Sequence, residues 1–215
     1  MKTYVIHWKQ LPERRTHILE NFPDLDLEFV DKYDKTEMPF DEMNEWFSPR
    51  TFEINHTPAS HCIAMSIISI LEKIKTQNAC ILEDDACPLV PNYKQRIDEA
   101  VEGAPPGWDI LFISDSRCGS DLRSFTRGVY GKEWLLVKEM RSTCAWIVSP
   151  KGAQTLLEMC RKYGGLGEYK DSYFDNWMSR VMNGTQGPVP DLQIWWSICP
   201  FVANGDQIGK FKRSY

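Results

Sequence analysis

The sequence predicts an α/β sandwich with a largely parallel, mixed central sheet, and two observations carry that prediction. Short apolar runs alternate with segments whose apolar residues recur at helical spacing, which is the order that builds parallel sheets. Helix starts are marked by Pro12, Thr57-Pro58 and Ser149-Pro150, where proline at the first turn forfeits no hydrogen bond.

Each element follows in order. Thr3 to Trp8 reads as a first strand and Lys9-Gln10-Leu11-Pro12 as its turn, with Pro12 opening a helix through Arg14, Arg15, Ile18 and Leu19. Leu27 to Val30 reads as a second strand, and the acidic stretch Asp31 to Glu45 as a surface loop. After Thr57-Pro58, the residues Ile63, Ile67, Leu71 and Ile74 give a helix one buried face. Cys80 to Leu82 is the next strand, and Asp109 to Ile113 another, entered from the turn Pro105-Pro106-Gly107. Cys144 to Val148 is a further strand, Ser149-Pro150 starts a helix through Leu156, Leu157 and Met159, and Gln193 to Ile198 closes the sheet.

With 215 residues and 42% hydrophobic content, the chain suffices for one core and reads as a single domain, 1–215. A net charge of −5 opposes a phosphate backbone, so nucleic acid is not an expected partner. Seven scattered cysteines without a CxxC pair fit reduced thiols. The N-terminus does not read as a signal peptide and no apolar run is long enough for a transmembrane segment, so the expectation is a soluble, cytoplasmic protein.

The most informative motif is Glu83-Asp84-Asp85, set directly behind the apolar run Ala79 to Leu82. Three adjacent carboxylates repel one another unless a cation compensates, and hard ions such as Mg²⁺ and Mn²⁺ prefer clustered carboxylate oxygens. In extended chain, residues i and i+2 point the same way, so Glu83 and Asp85 are the candidate metal ligands while Asp84 turns aside or takes a hydrogen bond. A helix running back along the sheet from Thr57 brings Ser60 and His61 to the same edge, and a parallel first strand delivers His7, Trp8, Arg14 and Arg15 there. Ligands of open α/β sheets bind at this carboxyl-end rim, and arginines with helix N-termini beside carboxylates suit a diphosphate.

These residues resemble glycosyltransferase family 25, which includes lipooligosaccharide-building transferases and collagen galactosyltransferases. The matching pieces are Tyr4-Val5-Ile6-His7-Trp8 with Pro12-Glu13-Arg14-Arg15, Phe29-Val30-Asp31, Ser60-His61 with Ala64, and Ile81-Leu82-Glu83-Asp84-Asp85. Asp109 to Ile113 and Ser149-Pro150-Lys151-Gly152-Ala153 with Leu156-Leu157 extend the resemblance, which covers roughly Tyr4 to Met178. His7-Trp8 departs from the family's usual Asn-Leu.

The resemblance implies a GT-A-like, Rossmann-type sandwich, a UDP-sugar donor, Mn²⁺ (or Mg²⁺) and a carbohydrate or glycoconjugate acceptor. Donor binding falls to about 1–115 and acceptor binding to about 116–215. On this reading Asp85 is the first metal ligand and Glu83 either shares the ion or binds the donor ribose, while Arg14, His7, Ser60, His61 and Asp84 serve the donor. An inverting transferase also needs a base for the acceptor hydroxyl. Asp175 is the first candidate and Asp171 the second, at i and i+4 if helical. Trp177, Trp195 and Trp196 are either sugar-stacking rings or core. Two alternatives stand beside the transferase: a metal-dependent nucleotide phosphohydrolase and a non-catalytic carbohydrate-binding protein.

Overall fold

The computed structural model describes residues 1–37, 40–46, 58–115, 126–137, 142–162, 174, 177–179, 191–205 and 208–211. In chain order come β1 (Lys2–Ile6), α1 (Pro12–Asn21), β2 (Asp26–Val30), α2 (Phe40–Met43), α3 (Pro58–Lys73) and β3 (Ala79–Glu83). Then come β4 (Ala86–Pro88), α4 (Tyr93–Glu102), β5 (Ile110–Phe112), β6 (Ser114–Asp115), β7 (Thr126–Tyr130) and β8 (Trp134–Val137). β9 (Ala145–Val148), α5 (Pro150–Lys162), β10 (Ile194–Ser197) and β11 (Val202–Asn204) complete the chain.

Eight strands form the main sheet in the order β2-β1-β3-β9-β5-β10-β8-β7. β1, β2, β3, β5 and β10 run one way, β9 and β8 run against them, and β7 returns to the majority direction. The mixed, mainly parallel sheet expected from the sequence is therefore present. Strands of the two halves interleave, since β9 sits between β3 and β5. A second sheet, β4-β11-β6, stands at the carboxyl ends of β3 and β5.

The apolar runs are continuous because the sheet is covered on both faces. Side chains alternate between two cores, as the strand period requires. Tyr4, Ile6, Ile81, Phe112, Trp146 and Trp196 pack under α3 and α5, through residues such as Ile67 and Leu156. Val5, Cys80, Leu82, Leu111, Ile147 and Trp195 pack under α1 and α4, through Ile18 and Ile97. Across three adjacent strands Trp146, Phe112 and Trp196 stand in register. Their rings stack with centroids 6.2 and 4.9 Å apart, contacts worth about 0.5–1.5 kcal/mol each beyond area burial. Trp177, Trp195 and Trp196 are all buried, which places the aromatic group in the core.

Two sequence expectations need correction. The stretch Asp31 to Glu45 contains α2 and an Asp34–Glu37 bridge, and it buries Tyr33, Asp34 and Met43. Its charged surface residues hide a segment tied down by three inward side chains. The sequence reading also missed α4 and the strands β4, β6, β7, β8 and β11, most of them too short to show a period. The six described cysteines are free, and all but Cys199 are buried. No described helix is long and apolar enough to cross a membrane.

Gly152, in the first turn of α5, allows that helix to touch the start of β5. A Cβ there would lie 2.5 Å from the Asp109 carbonyl oxygen, a rigid backbone atom that also accepts the Ser149 amide at 2.9 Å. Gly152→Ala is expected to destabilise the protein by about 1–3 kcal/mol through overpacking, read as a lower denaturant midpoint at unchanged slope. A midpoint equal to wild type would mean that the helix start shifts freely.

Candidate active site

The carboxyl ends of β1, β2, β3 and β5 share one rim, because these strands are parallel. β9 runs the opposite way and so begins at that rim, bringing Ser142, Thr143 and Cys144 beside Glu83. The Glu83 amide donates to the Cys144 carbonyl at 2.9 Å. The side-chain alternation of β3 ends at Glu83, and Asp84-Asp85 form the turn into β4. Each of the three carboxylates consequently meets a different set of partners.

Asp84 turns inward. Arg14 Nη1 donates to its Oδ1 at 2.8 Å, and His7 Nδ1 and the Trp8 amide donate to Oδ2 at 3.0 and 3.1 Å. Burial by itself would raise this carboxyl. The His7 and Arg14 hydrogen bonds, the guanidinium charge and the Trp8 amide outweigh burial and hold it below the usual carboxylate range. Arg14 also lies 5.2 Å from the Phe211 ring centroid, and His7 meets Phe29 edge-on. The structure thus joins His7, Arg14 and Asp84, three residues expected at the donor site, into one buried network.

Glu83 is half-buried and accepts a hydrogen bond from Thr143 Oγ1. Asp85 is buried, with Asn204 Nδ2 3.5 Å from Oδ1, and its main-chain carbonyl accepts the Gly205 amide at 2.8 Å. Gly205 has no room for a side chain: a Cβ would lie 2.6 Å from the Asp85 carbonyl oxygen and 2.7 Å from the Phe211 ring. Gly205 therefore packs directly on the acidic turn, while Phe211 lies edge-on against His17 and Lys210 is exposed. His17 Nε2 donates to the Ala86 carbonyl at 2.8 Å, fixing the start of β4 to α1.

Ser60 and His61 are buried in the first turn of α3. The next residue, Cys62, senses the Asp34 charge, which places this helix start beside the end of β2. Its thiol is pushed up to about 11, by burial first and by Asp34 second. Thr57, expected at the start of this helix, lies outside the described residues, as do Asp171 and Asp175.

Asp34 is a rim residue that sequence reasoning missed. It accepts hydrogen bonds from the Thr36 amide (2.9 Å) and hydroxyl (2.7 Å) and from Trp8 Nε1 (3.1 Å). Burial raises this carboxyl, yet these bonds win and bring it down to about 2. Lys35 covers the Trp8 indole at 3.7 Å, so the segment after β2 and the segment after β1 are locked together. The signal was present in Asp34-Lys35-Thr36, a local turn pattern in which an Asp side chain caps the chain two residues on. Asn204-Gly205 is a comparable turn signal for the Gly205 contact.

Among the described residues, no group of three or more His, Cys, Asp or Glu side chains is placed to hold a metal ion. Two carboxylates, Glu83 and Asp85, stand two residues apart where β3 turns into β4. Mg²⁺-like ions are commonly held by one or two carboxylates, with substrate phosphates and waters filling the remaining positions.

No family model matches the chain. It is similar to a "Glycosyltransferase 25 family member" of Aedes aegypti, 27% identical over 221 residues, which cover 93% of this chain. The chain spans about a third of that relative, 35% of its length. Among solved structures, a UDP-glucose pyrophosphorylase complexed with UDP-glucose aligns over 98% of this chain and 95% of its own, at 8% identity and TM-score 0.51. A glycosyltransferase involved in the glycosylation of the major capsid of PBCV-1 aligns over 94% of this chain and 92% of its own, at 8% identity and TM-score 0.45. The fold is GT-A-like, and the resemblance to glycosyltransferase family 25 read from the motifs holds over nearly the whole chain.

Proposed function

We propose that the protein is a metal-dependent glycosyltransferase that moves a hexose, glucose or galactose, from a UDP-sugar to a hydroxyl of a glycan or glycoconjugate, with inversion. The observation that carries this reading is the division of labour in the acidic turn. Asp84 is paired internally with the Arg14 guanidinium and hydrogen-bonded by His7. Glu83 takes a hydrogen bond from Thr143 and Asp85 lies beside Asn204, at the rim where open α/β sheets bind ligands. The family relative supports transfer as the reaction class, and the donor class follows the resemblance.

Asp85, with Glu83, would hold Mn²⁺ or Mg²⁺. The ion, when bound, supplies positive charge against the departing diphosphate. The remaining roles fall to the chain itself. The Asp84 network holds the β1–α1 loop in place, Ser60 and His61 close the adjacent edge, and Asp175 or Asp171 accepts the proton of the acceptor hydroxyl. Donor recognition is assigned to about 1–115 and acceptor recognition to about 116–215.

The test is thermal unfolding of the protein against a panel of nucleotide sugars, with Mn²⁺ and then with chelator. A donor at a hundred times its dissociation constant adds about 2.7 kcal/mol, roughly 5–10 °C for a chain of this size. The expected result is such a rise with UDP-glucose or UDP-galactose, present with Mn²⁺ and lost with chelator. No shift with any nucleotide sugar would overturn the reading. UDP-sugar hydrolysis that no acceptor accelerates would move the assignment to a phosphohydrolase, and binding without turnover to a carbohydrate-binding protein.

A further inference from the structure

Outside the residues already assigned, the rim holds one strained and specific arrangement. Ser142 has φ +73°, the left-handed region that residues other than glycine seldom adopt. Its Oγ accepts the Cys144 amide at 3.2 Å, so the side chain braces the turn that begins β9. Cys144 is buried in the core and its carbonyl is tied to the Glu83 amide at 2.9 Å. These two bonds fix Thr143 directly beside the last residue of β3. Thr143 is 8% exposed, and its hydroxyl donates to Glu83 Oε1.

We propose that Thr143 is a positioning residue, holding the Glu83 carboxylate in the orientation in which, with Asp85, it would hold the ion that binds the nucleotide's diphosphate. The inference rests on the reading of the rim as the donor site. Its physical basis is the geometry of a long side chain. Glu83 has three rotatable bonds beyond its backbone, and ordering such a chain costs up to about 2 kcal/mol. A hydroxyl set by a braced turn supplies that order before the ligand arrives, so the bound state does not carry the cost. The strain at Ser142 fits the same role, since unusual backbone conformations persist where the surroundings over-determine them and cluster at binding sites. The antiparallel entry of β9 is essential, because a parallel strand in that position would begin at the opposite edge.

The experiment measures the dissociation constant for UDP, with MnCl₂ present, in wild type, Thr143→Val, Thr143→Ser, Glu83→Gln and the Thr143→Val/Glu83→Gln double variant. Melting temperatures are recorded for each. Valine keeps the shape and removes the hydroxyl, whereas serine keeps the hydroxyl. Outer-shell partners of ligating groups are typically worth 10–100-fold. Thr143→Val is expected to weaken UDP binding about tenfold, Thr143→Ser to stay within about twofold of wild type, and the double variant to bind no worse than Glu83→Gln.

Thr143→Val binding UDP as wild type does, while Glu83→Gln binds weakly, overturns the inference and leaves the donor site intact. Additive losses in the double variant also overturn it, because Thr143 would then act independently of Glu83. Wild type failing to bind UDP takes down the donor-site reading and this inference together. If the valine variant does not fold, Thr143→Ala takes its place under the same criteria.

Discussion

Asp84→Asn is expected to destabilise the protein by about 3–5 kcal/mol, the cost of stranding a buried charge. Asp84 and Arg14 are 6% and 8% exposed and 2.8 Å apart. An amide carries no charge to set against the guanidinium, and its NH₂ cannot accept the bonds that one of the two oxygens now takes, either that from Arg14 or those from His7 and Trp8. The loss falls on the connection between β1, α1 and β3, so it should appear in global unfolding.

The pH dependence has a fixed sign. Folded Asp84 has a lowered pKa, so as acid is added the unfolded chain takes up this proton first, and stability falls with it. The Asp84 contribution is present above the ordinary carboxylate range near 3.9 and is lost as pH drops through the folded value. Asp34, brought to about 2, titrates in the same direction. The difference between wild type and Asp84→Asn therefore isolates the Asp84 share: it should be largest near neutrality and shrink in acid. Denaturant midpoints from pH 7 to pH 2 measure it, and a variant within about 0.5 kcal/mol of wild type at pH 7 would refute the structural role.

Asp85→Asn is expected to do the reverse, leaving the fold near wild type while transfer falls by about 100-fold or more, the scale of lost electrostatic stabilisation at a reacting centre. The main-chain carbonyl of Asp85 carries the bond to Gly205, and the substitution does not touch it. The amide occupies the same volume beside Asn204. Transfer rates with UDP-sugar across a Mn²⁺ titration, together with melting temperature, decide the matter. Full activity in Asp85→Asn would remove this residue from the metal site. Taken as a pair, the two variants test whether one of these neighbouring carboxylates holds the fold and the other the metal.

The sequence by itself determined the elements whose signals are local. Pro12, Pro58 and Pro150 begin α1, α3 and α5 because proline suits a first helical turn, and apolar runs set β1, β3, β5, β9 and β10 because the sheet is buried on both faces. It also placed Glu83-Asp84-Asp85 at a strand end, and Arg14 and Ser60-His61 in the first turns of helices. Tertiary structure decided what depends on partners distant in the chain. A four-residue apolar strand such as Ala145–Val148 carries no mark of its direction, yet its antiparallel entry is what brings Thr143 to Glu83. The i and i+2 alternation was sound for extended chain, but a turn begins at Asp84, and the turn is held by Gly205, 120 residues later. Asp34 looked like one more charge in an acidic loop until its donors from Trp8 and Thr36 were in place. Which partners each carboxylate meets is a property of these long-range contacts, and side-chain spacing along one strand cannot encode it.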